Sequence, residues 1–354
     1  MKFFLKPCSP NPVNPQRLPP VVLEELEKTV SQKKGEIDEF QDEWERVKRY
    51  IHPYEYIYSS SFTRNNISKI KPVSRSYFKM VEILSVYGIR VDQKDILCLA
   101  EAPGGFIQRL LEFPVNRVHG ITLISEDRKV PYWNHTILKD KRFTEHRGNS
   151  EDGDLISLSN ILGFAKEIGS VSIVTGDGGF DVSDDYDAQE RMSYPLIFSE
   201  IFLSLLVLEP GGVFTCKIFD TFRRETLCLL SLLHRGFDQI VMHKPCMSRM
   251  SNSEKYIVCL GYRGKTTEIT NTLARYFLQN EFDIDVSDMY VSEMIEFIKR
   301  CSTSQMDLIE VGIQQIKEKK YMRGATKLQI RKAREWCVAH GIEINTECIY
   351  LRDS

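Results

Sequence analysis

Short apolar runs alternate with longer amphipathic stretches between residues 95 and 262. The runs that predict buried strands are 95–101, 117–124, 170–177, 212–219, 237–244 and 255–262. The stretches between them that predict helices are 106–112, 155–168, 188–208 and 224–235. Alternating strands and helices indicate right-handed crossovers and a doubly wound, mostly parallel Rossmann-like α/β sheet with helices on both faces. Because only a loop separates the last two strands, we expect them to pair antiparallel at one edge.

The two ends of the chain follow a different pattern. Six of the fourteen prolines fall within the first twenty residues, which predicts an extended arm. Residues 21–50 carry apolar positions at helical spacing, which favours an amphipathic helix or helix pair packed on the main domain. Helical patterns return after residue 265, most clearly in 290–300 and 306–320. We therefore expect an amino-terminal arm and helical extension (1–60), a core (61–264) and a carboxyl-terminal helical extension (265–354).

Charge and cysteine usage narrow the function classes. Lys and Arg total 47 against 49 acidic residues, so the net charge of −2 excludes a protein that coats nucleic acid through bulk positive charge. Nine scattered cysteines without a C-x-x-C pair predict reduced thiols, with neither a disulfide framework nor a zinc site. With no long apolar run and no signal peptide at the start, we expect an intracellular, nuclear or cytoplasmic protein without a membrane partner.

Glycines and charged side chains follow the predicted strands, where an open α/β sheet binds its ligands. The first strand leads into Ala102, Pro103, Gly104, Gly105 and Phe106, a turn in which bare backbone and free helix amides could approach a ligand. It matches neither the dinucleotide fingerprint G-x-G-x-x-G nor a phosphate-binding P-loop, which disfavours hydride transfer and nucleotide hydrolysis. Taken alone, such a turn is more often structural.

Three further residues are unusual for their positions. Asp177 lies among Gly176, Gly178 and Gly179, more glycines than a turn requires. Lys217 lies inside an apolar strand, where an unpaired ammonium would be costly, although a strand-end lysine could also extend to solvent. Glu254 precedes the last strand, where a solvated surface carboxylate is the ordinary interpretation. These residues predict a site that contains both amines and carboxylates.

Taken together, the motifs resemble those of a known family. They are S-R-S-Y-F-K at 74–79, E-A-P-G-G-F at 101–106, G-D-G-G-F at 176–180, G-G-V-F-T-C-K at 211–217 and K-P-x-x-S-R-x-x-N-S-E-x-Y at 244–256. In order and spacing they resemble FtsJ-like 2′-O-methyltransferases, above all the cap-specific, adrift-type branch. The resemblance covers about residues 70–262 well and extends loosely to about 340. It implies S-adenosylmethionine as cofactor and a tetrad at Lys79, Asp177, Lys217 and Glu254.

The resemblance also implies roles for these residues. Lys217 would be the general base, with its pKa lowered by burial and by Lys79 as a second cation, while the two acids orient the ammonium groups. No metal is required. Residues 102–106 would border the methionine part of the cofactor, and Asp154 its adenosine end. Many family members have acids where this chain has Cys98 and Thr122, so Thr122 would offer the cofactor ribose a weaker bond.

The acceptor requires cations and a means of recognising its end. Ser74, Arg75 and Arg249 are the candidates for contact with the RNA backbone. A methylated guanine cap is a flat cation, which a carboxylate and a stacked aromatic ring can hold. Tyr186 and Asp187, in the acidic loop 181–187, supply both groups, and a merely solvated acidic loop is an equal alternative.

The leading hypothesis is therefore methylation of the ribose 2′-hydroxyl of a cap-proximal nucleotide of mRNA, with the first nucleotide expected. The implied partners are the capped 5′ end and, as candidates, the capping or transcription machinery. The second hypothesis keeps the chemistry but makes ribosomal or transfer RNA the acceptor, which the extra helical flanks disfavour. The third is a non-catalytic RNA-binding subunit, which the complete tetrad disfavours.

Overall fold

An eight-stranded sheet lies at the centre of the computed structural model, which describes residues 1–7, 20–179, 188–279, 286–321 and 324–351. The strands are β1 (Lys2–Phe4), β2 (Asp95–Leu99), β3 (Arg117–Ile121), β4 (Phe143–His146), β5 (Val171–Gly176), β6 (Leu208–Ile218), β7 (Phe237–His243) and β8 (Lys255–Tyr262). Their spatial order is β1-β7-β8-β6-β5-β2-β3-β4.

The middle of this sheet is parallel and one side of it is antiparallel. Strands β4, β3, β2, β5 and β6 are parallel, whereas β8 pairs antiparallel with both β6 and β7. The chain leaves β2 towards β3 and β4, then crosses back to β5 on the other side of β2. The strand order therefore reverses between β2 and β5, the place where α/β sheets bind ligands. The prediction of a doubly wound, mostly parallel sheet is confirmed.

Helices cover the sheet and form the two flanks. In the described residues they are α1 (Pro20–Gly35), α2 (Gln41–Tyr50), α3 (Ser76–Tyr87), α4 (Gly105–Leu110), α5 (His135–Leu138), α6 (Leu158–Ile168), α7 (Gln189–Val207), α8 (Arg224–Gly236), α9 (Thr267–Gln279), α10 (Asp288–Lys317) and α11 (Lys327–Ala339). Side-chain caps set several of their starts. The Ser157 hydroxyl accepts from the Asn160 amide at α6, and Thr326 forms a capping box with Gln329 at α11.

The helical flanks pack on each other as well as on the sheet. Trp44 and Val47 of α2 form a buried cluster with Ile309 and Ile313 of α10. Leu23 and Val30 of α1 join the core cluster beside the sheet, so residues 21–50 form a helix pair, one of the two predicted alternatives. The two predicted segments 290–300 and 306–320 lie mainly in the single helix α10, since no proline or glycine interrupts residues 300–306. The division at residues 60 and 264 stays a prediction.

Two strands were not predicted, because β4 lacks an apolar run and β1 has only three residues. β4 (Phe143–His146) is a short, largely polar edge strand. β1 lies within the predicted extended arm and extends the sheet by pairing antiparallel with β7. Residues 8–19 of the arm lie outside the described residues.

Candidate active site

The four predicted catalytic residues come from four separate elements that meet at one edge of the sheet. Lys79 lies on α3, Asp177 follows β5, Lys217 is on β6 and Glu254 immediately precedes β8. Because β6 lies between β5 and β8, the ends of these strands lie side by side. The ladder pairs Lys217 with Tyr256, so Glu254 lies two residues from the partner of Lys217. The strand order thus brings the predicted tetrad together.

Each lysine of the tetrad is paired with a carboxylate. Lys79 Nζ lies 2.7 Å from Glu254 Oε1. Lys217 Nζ lies 3.3 Å from Asp177 Oδ1 and donates to the Asp177 backbone carbonyl at 2.7 Å. The Glu254 carboxylate also accepts a hydrogen bond from the Ser248 hydroxyl. The lysine side chains are only 11% and 13% exposed, so both ion pairs lie in a largely desolvated place where their interaction is strong.

Tyr256 connects these two pairs. Its phenol donates to Asp177 Oδ1 at 2.5 Å and accepts from Lys79 Nζ at 3.2 Å. Burial, with the nearby Asp177 carboxylate, raises the pKa of Tyr256 well above its ordinary value, so the phenol stays neutral. Our sequence analysis noted this residue only as the end of a motif. Tyr256 comes two residues after Glu254, and alternate residues of an extended chain face the same side, so its position could have predicted that it lies beside the tetrad.

The pKa of Lys217 differs from the one expected from the sequence. Burial lowers the pKa of Lys217, but the carboxylates of Asp177 and Glu254 outweigh it, so the net shift is upward. The expected pKa near neutrality is therefore wrong for the protein without substrate, because the nearby acids act more strongly than desolvation. For Glu254, burial raises the pKa, but Lys79 and Lys217 bring it down to about 2. The centre accordingly holds a protonated Lys217 and an ionised Glu254.

Two further acids, Glu101 and Glu200, lie close to Asp177 and were not predicted. Glu101 follows β2 by two residues and accepts from the Thr175 hydroxyl, and Glu200 of α7 accepts from the Cys216 thiol at 3.1 Å. In the described residues, Glu101 Oε2 and Glu200 Oε1 have no hydrogen-bond partner. Burial raises the pKa of Glu200 to about 8 and that of Glu101 well above its ordinary range. Burial therefore favours the neutral form of both carboxyls beside Asp177.

The glycines of the predicted cofactor turn face protein atoms. A Cβ at Gly104 would lie 2.2 Å from Ile137 Cδ1, and one at Gly105 would lie 2.2 Å from Ser76 Oγ and 2.3 Å from Ser74 Oγ. Gly104 also has φ of 103°, a conformation that favours glycine. Close packing at their α-carbons therefore requires both glycines, and the approach of a ligand to the backbone of this turn stays a prediction.

The rest of the turn is held by neighbouring elements. The Pro103 carbonyl accepts from the Asn134 amide at 3.1 Å, and the peptide bond before Pro103 is cis. Phe106 is fully buried, with its ring centroid 5.9 Å from that of Tyr256, so its side chain belongs to the core. Ala102 is partly buried and packs against the same core cluster. The turn therefore lies between β2 and the tetrad, with its shape set by packing.

Thr122 and Asp154 come together beyond β3. A Cβ at Gly153 would lie 2.0 Å from the Thr122 carbonyl oxygen, so the two segments are in direct contact. One oxygen of the Asp154 carboxylate accepts from the Ile156 amide at 2.9 Å. Thr122 is buried, whereas Asp154 is partly exposed. The structure therefore brings both predicted cofactor residues to the carboxyl end of β3.

The predicted RNA-binding residues are largely engaged within the protein. Arg249 forms a bidentate pair with Glu55, in which Nη2 donates to Oε1 at 2.9 Å and Nε donates to Oε2 at 3.2 Å. Arg75 donates to the Tyr58 carbonyl at 2.6 Å. Burial lowers the pKa of Arg75, although Glu55 opposes this shift. The Ser74 hydroxyl lies 2.6 Å from the Ser76 hydroxyl, beneath Gly105. Tyr186 and Asp187 lie outside the described residues, so the predicted cap-binding loop stays a prediction.

In the part of the chain that the structure describes, no group of three or more His, Cys, Asp or Glu side chains is arranged to hold a metal ion. Over the same residues, no helix is long and apolar enough to cross a membrane.

The fold and this centre together define a class. A doubly wound sheet with lysine–carboxylate pairs at the ends of β5, β6 and β8 is a Rossmann-like transferase scaffold. The model of the FtsJ-like methyltransferase family matches residues 72–262, more than half of the chain. The chain therefore belongs to the FtsJ-like methyltransferase family, which confirms the resemblance stated from the motifs.

Relatives of known name are similar over the same region. A cap-specific mRNA (nucleoside-2′-O-)-methyltransferase of Autographa californica nuclear polyhedrosis virus is 31% identical over 187 residues, which is 52% of this chain and 71% of that protein. The cap-specific mRNA (nucleoside-2′-O-)-methyltransferase 2 of Danio rerio is 32% identical over 212 residues, covering 54% of this chain and 28% of that protein. A cap-specific methyltransferase 1A of Caenorhabditis briggsae is 33% identical over 170 residues, 46% of this chain and 19% of that protein. This chain thus spans less than a third of the two animal relatives.

Proposed function

We propose that this protein transfers a methyl group from S-adenosylmethionine to the ribose 2′-hydroxyl of a cap-proximal nucleotide of mRNA. The expected target is the first nucleotide. The observation that carries the proposal is the assembled centre of Lys79, Asp177, Lys217 and Glu254 in a family of methyltransferases. The names of the similar viral and animal proteins support the capped acceptor.

The residues around the centre fit a cationic methyl donor. Glu101 Oε2 and Glu200 Oε1 are buried carboxyl oxygens without a partner among the described residues, and they lie near Asp177. A positive charge bound nearby would lower their raised pKa values and favour ionisation, and the resulting carboxylates would compensate that charge. Asp154, with one oxygen held by the Ile156 amide, and Thr122 would hold the nucleoside part. S-adenosylmethionine supplies a methyl group on a sulfonium, a leaving group that departs without a metal.

The tetrad would hold the ribose hydroxyl and receive its proton. Lys79, fixed by Glu254 and Tyr256, would donate to the ribose oxygen and keep it in line with the methyl group. Lys217 can act as base only after its own proton has left to solvent. A positive charge bound nearby opposes Asp177 and Glu254 and so favours that loss. The neutral Lys217 amine then takes the hydroxyl proton while the new oxygen–carbon bond forms and the carbon–sulfur bond breaks.

Methyl transfer to short RNAs that differ only in the cap tests this proposal. We expect transfer to a capped 5′ end and little to the same RNA with a 5′ triphosphate. Equal rates on both RNAs would contradict the cap-specific acceptor and favour ribosomal or transfer RNA. No transfer to any RNA, by protein shown to bind S-adenosylmethionine, would favour a non-catalytic subunit.

A further inference from the structure

A pocket of about 240 Å³ lies where the helical flanks meet the core. One wall comes from the flanks and includes Lys34 of α1, Trp44 and Lys48 of α2, and Gln305 of α10. The other wall is formed by residues 249–253, with the start of α7 beside them. We call this the flank pocket. Its flank wall lies outside residues 72–262, the part of the chain that matches the family, so no family feature assigns it.

The flank pocket lies beside the loop that carries Glu254 of the catalytic centre. Ser253 lines it, and the next residue is Glu254, which pairs with Lys79. The same loop is tied to the pocket walls: Gln305 Nε2 donates to the Ser251 carbonyl at 3.2 Å, and the Ser253 hydroxyl donates to Gln189 Oε1 at 2.6 Å. This loop therefore joins the flank pocket to the tetrad.

The charge of the flank pocket suits an anion. Its described lining contains the cations Lys34, Lys48 and Arg249 and no Asp or Glu. The acids that pair with these cations, which are Asp220, Glu45 and Glu55, are not part of this lining. Each cation of the lining is thus paired with an acid outside it, and a bound anion would share these cations with those acids. Lysine and arginine side chains in this arrangement are suited to phosphate oxygens.

The neutral groups of the flank pocket suit a nucleotide. Gln189, Asn252 and Gln305 offer amide donors and acceptors, the groups that read exposed base edges. Trp44 adds an aromatic side chain, which is 8% exposed. Its position is fixed, because a Cβ at Gly312 of α10 would lie 2.4 Å from the indole ring. Aromatic rings and amides combined with lysines are typical of single-stranded RNA sites.

We infer that the flank pocket binds an RNA nucleotide adjacent to the one whose ribose is methylated, with its phosphate at Lys34 and Lys48 and its base near Trp44 and Gln305. The inference rests on the proposed function, because it takes the acceptor at the tetrad to be RNA. It gives the helical flanks a role in acceptor selection. It also explains why their side chains meet the loop that carries Glu254.

The test compares Lys48→Ala and Gln305→Ala with a matched control, Lys332→Ala. Lys48 and Lys332 each pair with a glutamate three residues away on a helix, but Lys332 is not among the residues that line the flank pocket. For a capped RNA of several nucleotides, we expect the KM of Lys48→Ala to rise about tenfold and the salt dependence of RNA binding to fall by about one charge. The kcat at saturating RNA and the affinity for S-adenosylmethionine should stay at the values of the Lys332→Ala control.

A photocrosslink locates the nucleotide directly. We expect 5-iodouridine placed next to the target nucleotide to crosslink to the peptide that contains Trp44. An equal KM for both pocket variants and the control, or a crosslink confined to other peptides, would overturn the flank pocket while methyl transfer persists. A protein that transfers no methyl group to RNA would instead refute the proposed function, and the crosslink would still report whether the pocket binds RNA.

Discussion

Replacing Tyr256 with phenylalanine tests whether the tetrad acts as one connected unit. The variant loses the bond from the phenol to Asp177 Oδ1 at 2.5 Å and the bond from Lys79 Nζ at 3.2 Å, while the buried ring remains. A hydrogen bond to a charged group contributes about 1.5–3 kcal/mol. If that contribution is made in the transition state, kcat should fall about 10- to 150-fold.

The assay is steady-state methyl transfer to capped RNA, with the dissociation constant of S-adenosylmethionine measured in parallel. Tyr262→Phe is a matched control, because Tyr262 is on the same strand and its phenol donates to the Leu205 carbonyl at 2.9 Å within the core. We expect Tyr256→Phe to lower kcat with little change in cofactor affinity, and Tyr262→Phe to affect stability alone. An unchanged kcat in Tyr256→Phe, or equal losses in both variants, would refute the proposed connection between Lys79 and Asp177.

Two further predictions concern buried acids. The pKa of Glu200 is about 8 in the folded protein and near 4 in the unfolded chain, so the folded state binds more protons between these pH values and its stability falls as pH rises through them. Glu200→Gln should reduce this dependence of stability on pH and raise Tm at pH 8 by at least about 2 °C. An unchanged pH dependence in thermal unfolding would contradict the raised pKa. Trp336→Phe removes the hydrogen bond from the indole N–H to Glu82 Oε2 at 3.0 Å. It should lower the free energy of unfolding, measured in urea, by about 1.5–3 kcal/mol. A difference near zero would show that this hydrogen bond between α11 and Glu82 does not stabilise the fold.

The sequence predicted the sheet and the tetrad because both depend on local patterns. Apolar runs mark β2, β3, β5, β6, β7 and β8, and the motifs mark Lys79, Asp177, Lys217 and Glu254. β4 was missed because an edge strand needs no continuous apolar run. The pattern of apolar residues shows which strands are buried, so it marks the central strands and does not mark a polar edge strand.

The parts that could not be predicted depend on distances between elements. The pKa of Lys217 rises because two carboxylates from different strands lie close to it, and no spacing along the chain shows that proximity. Glu200 lies inside a helix that is mostly buried, and only the packing of α7 against β5 and β6 brings it to Asp177. The bidentate pair of Arg249 with Glu55 joins residues 194 positions apart.

Identification of the methylated atom tests the central claim most directly. Capped RNA is incubated with labelled S-adenosylmethionine and either the unaltered protein or Lys217→Met, then digested to nucleosides and separated by mass. The account predicts a 2′-O-methylated nucleoside from the cap-adjacent position with the unaltered protein and almost none with Lys217→Met. Label on a base, or undiminished ribose methylation by Lys217→Met, would contradict it.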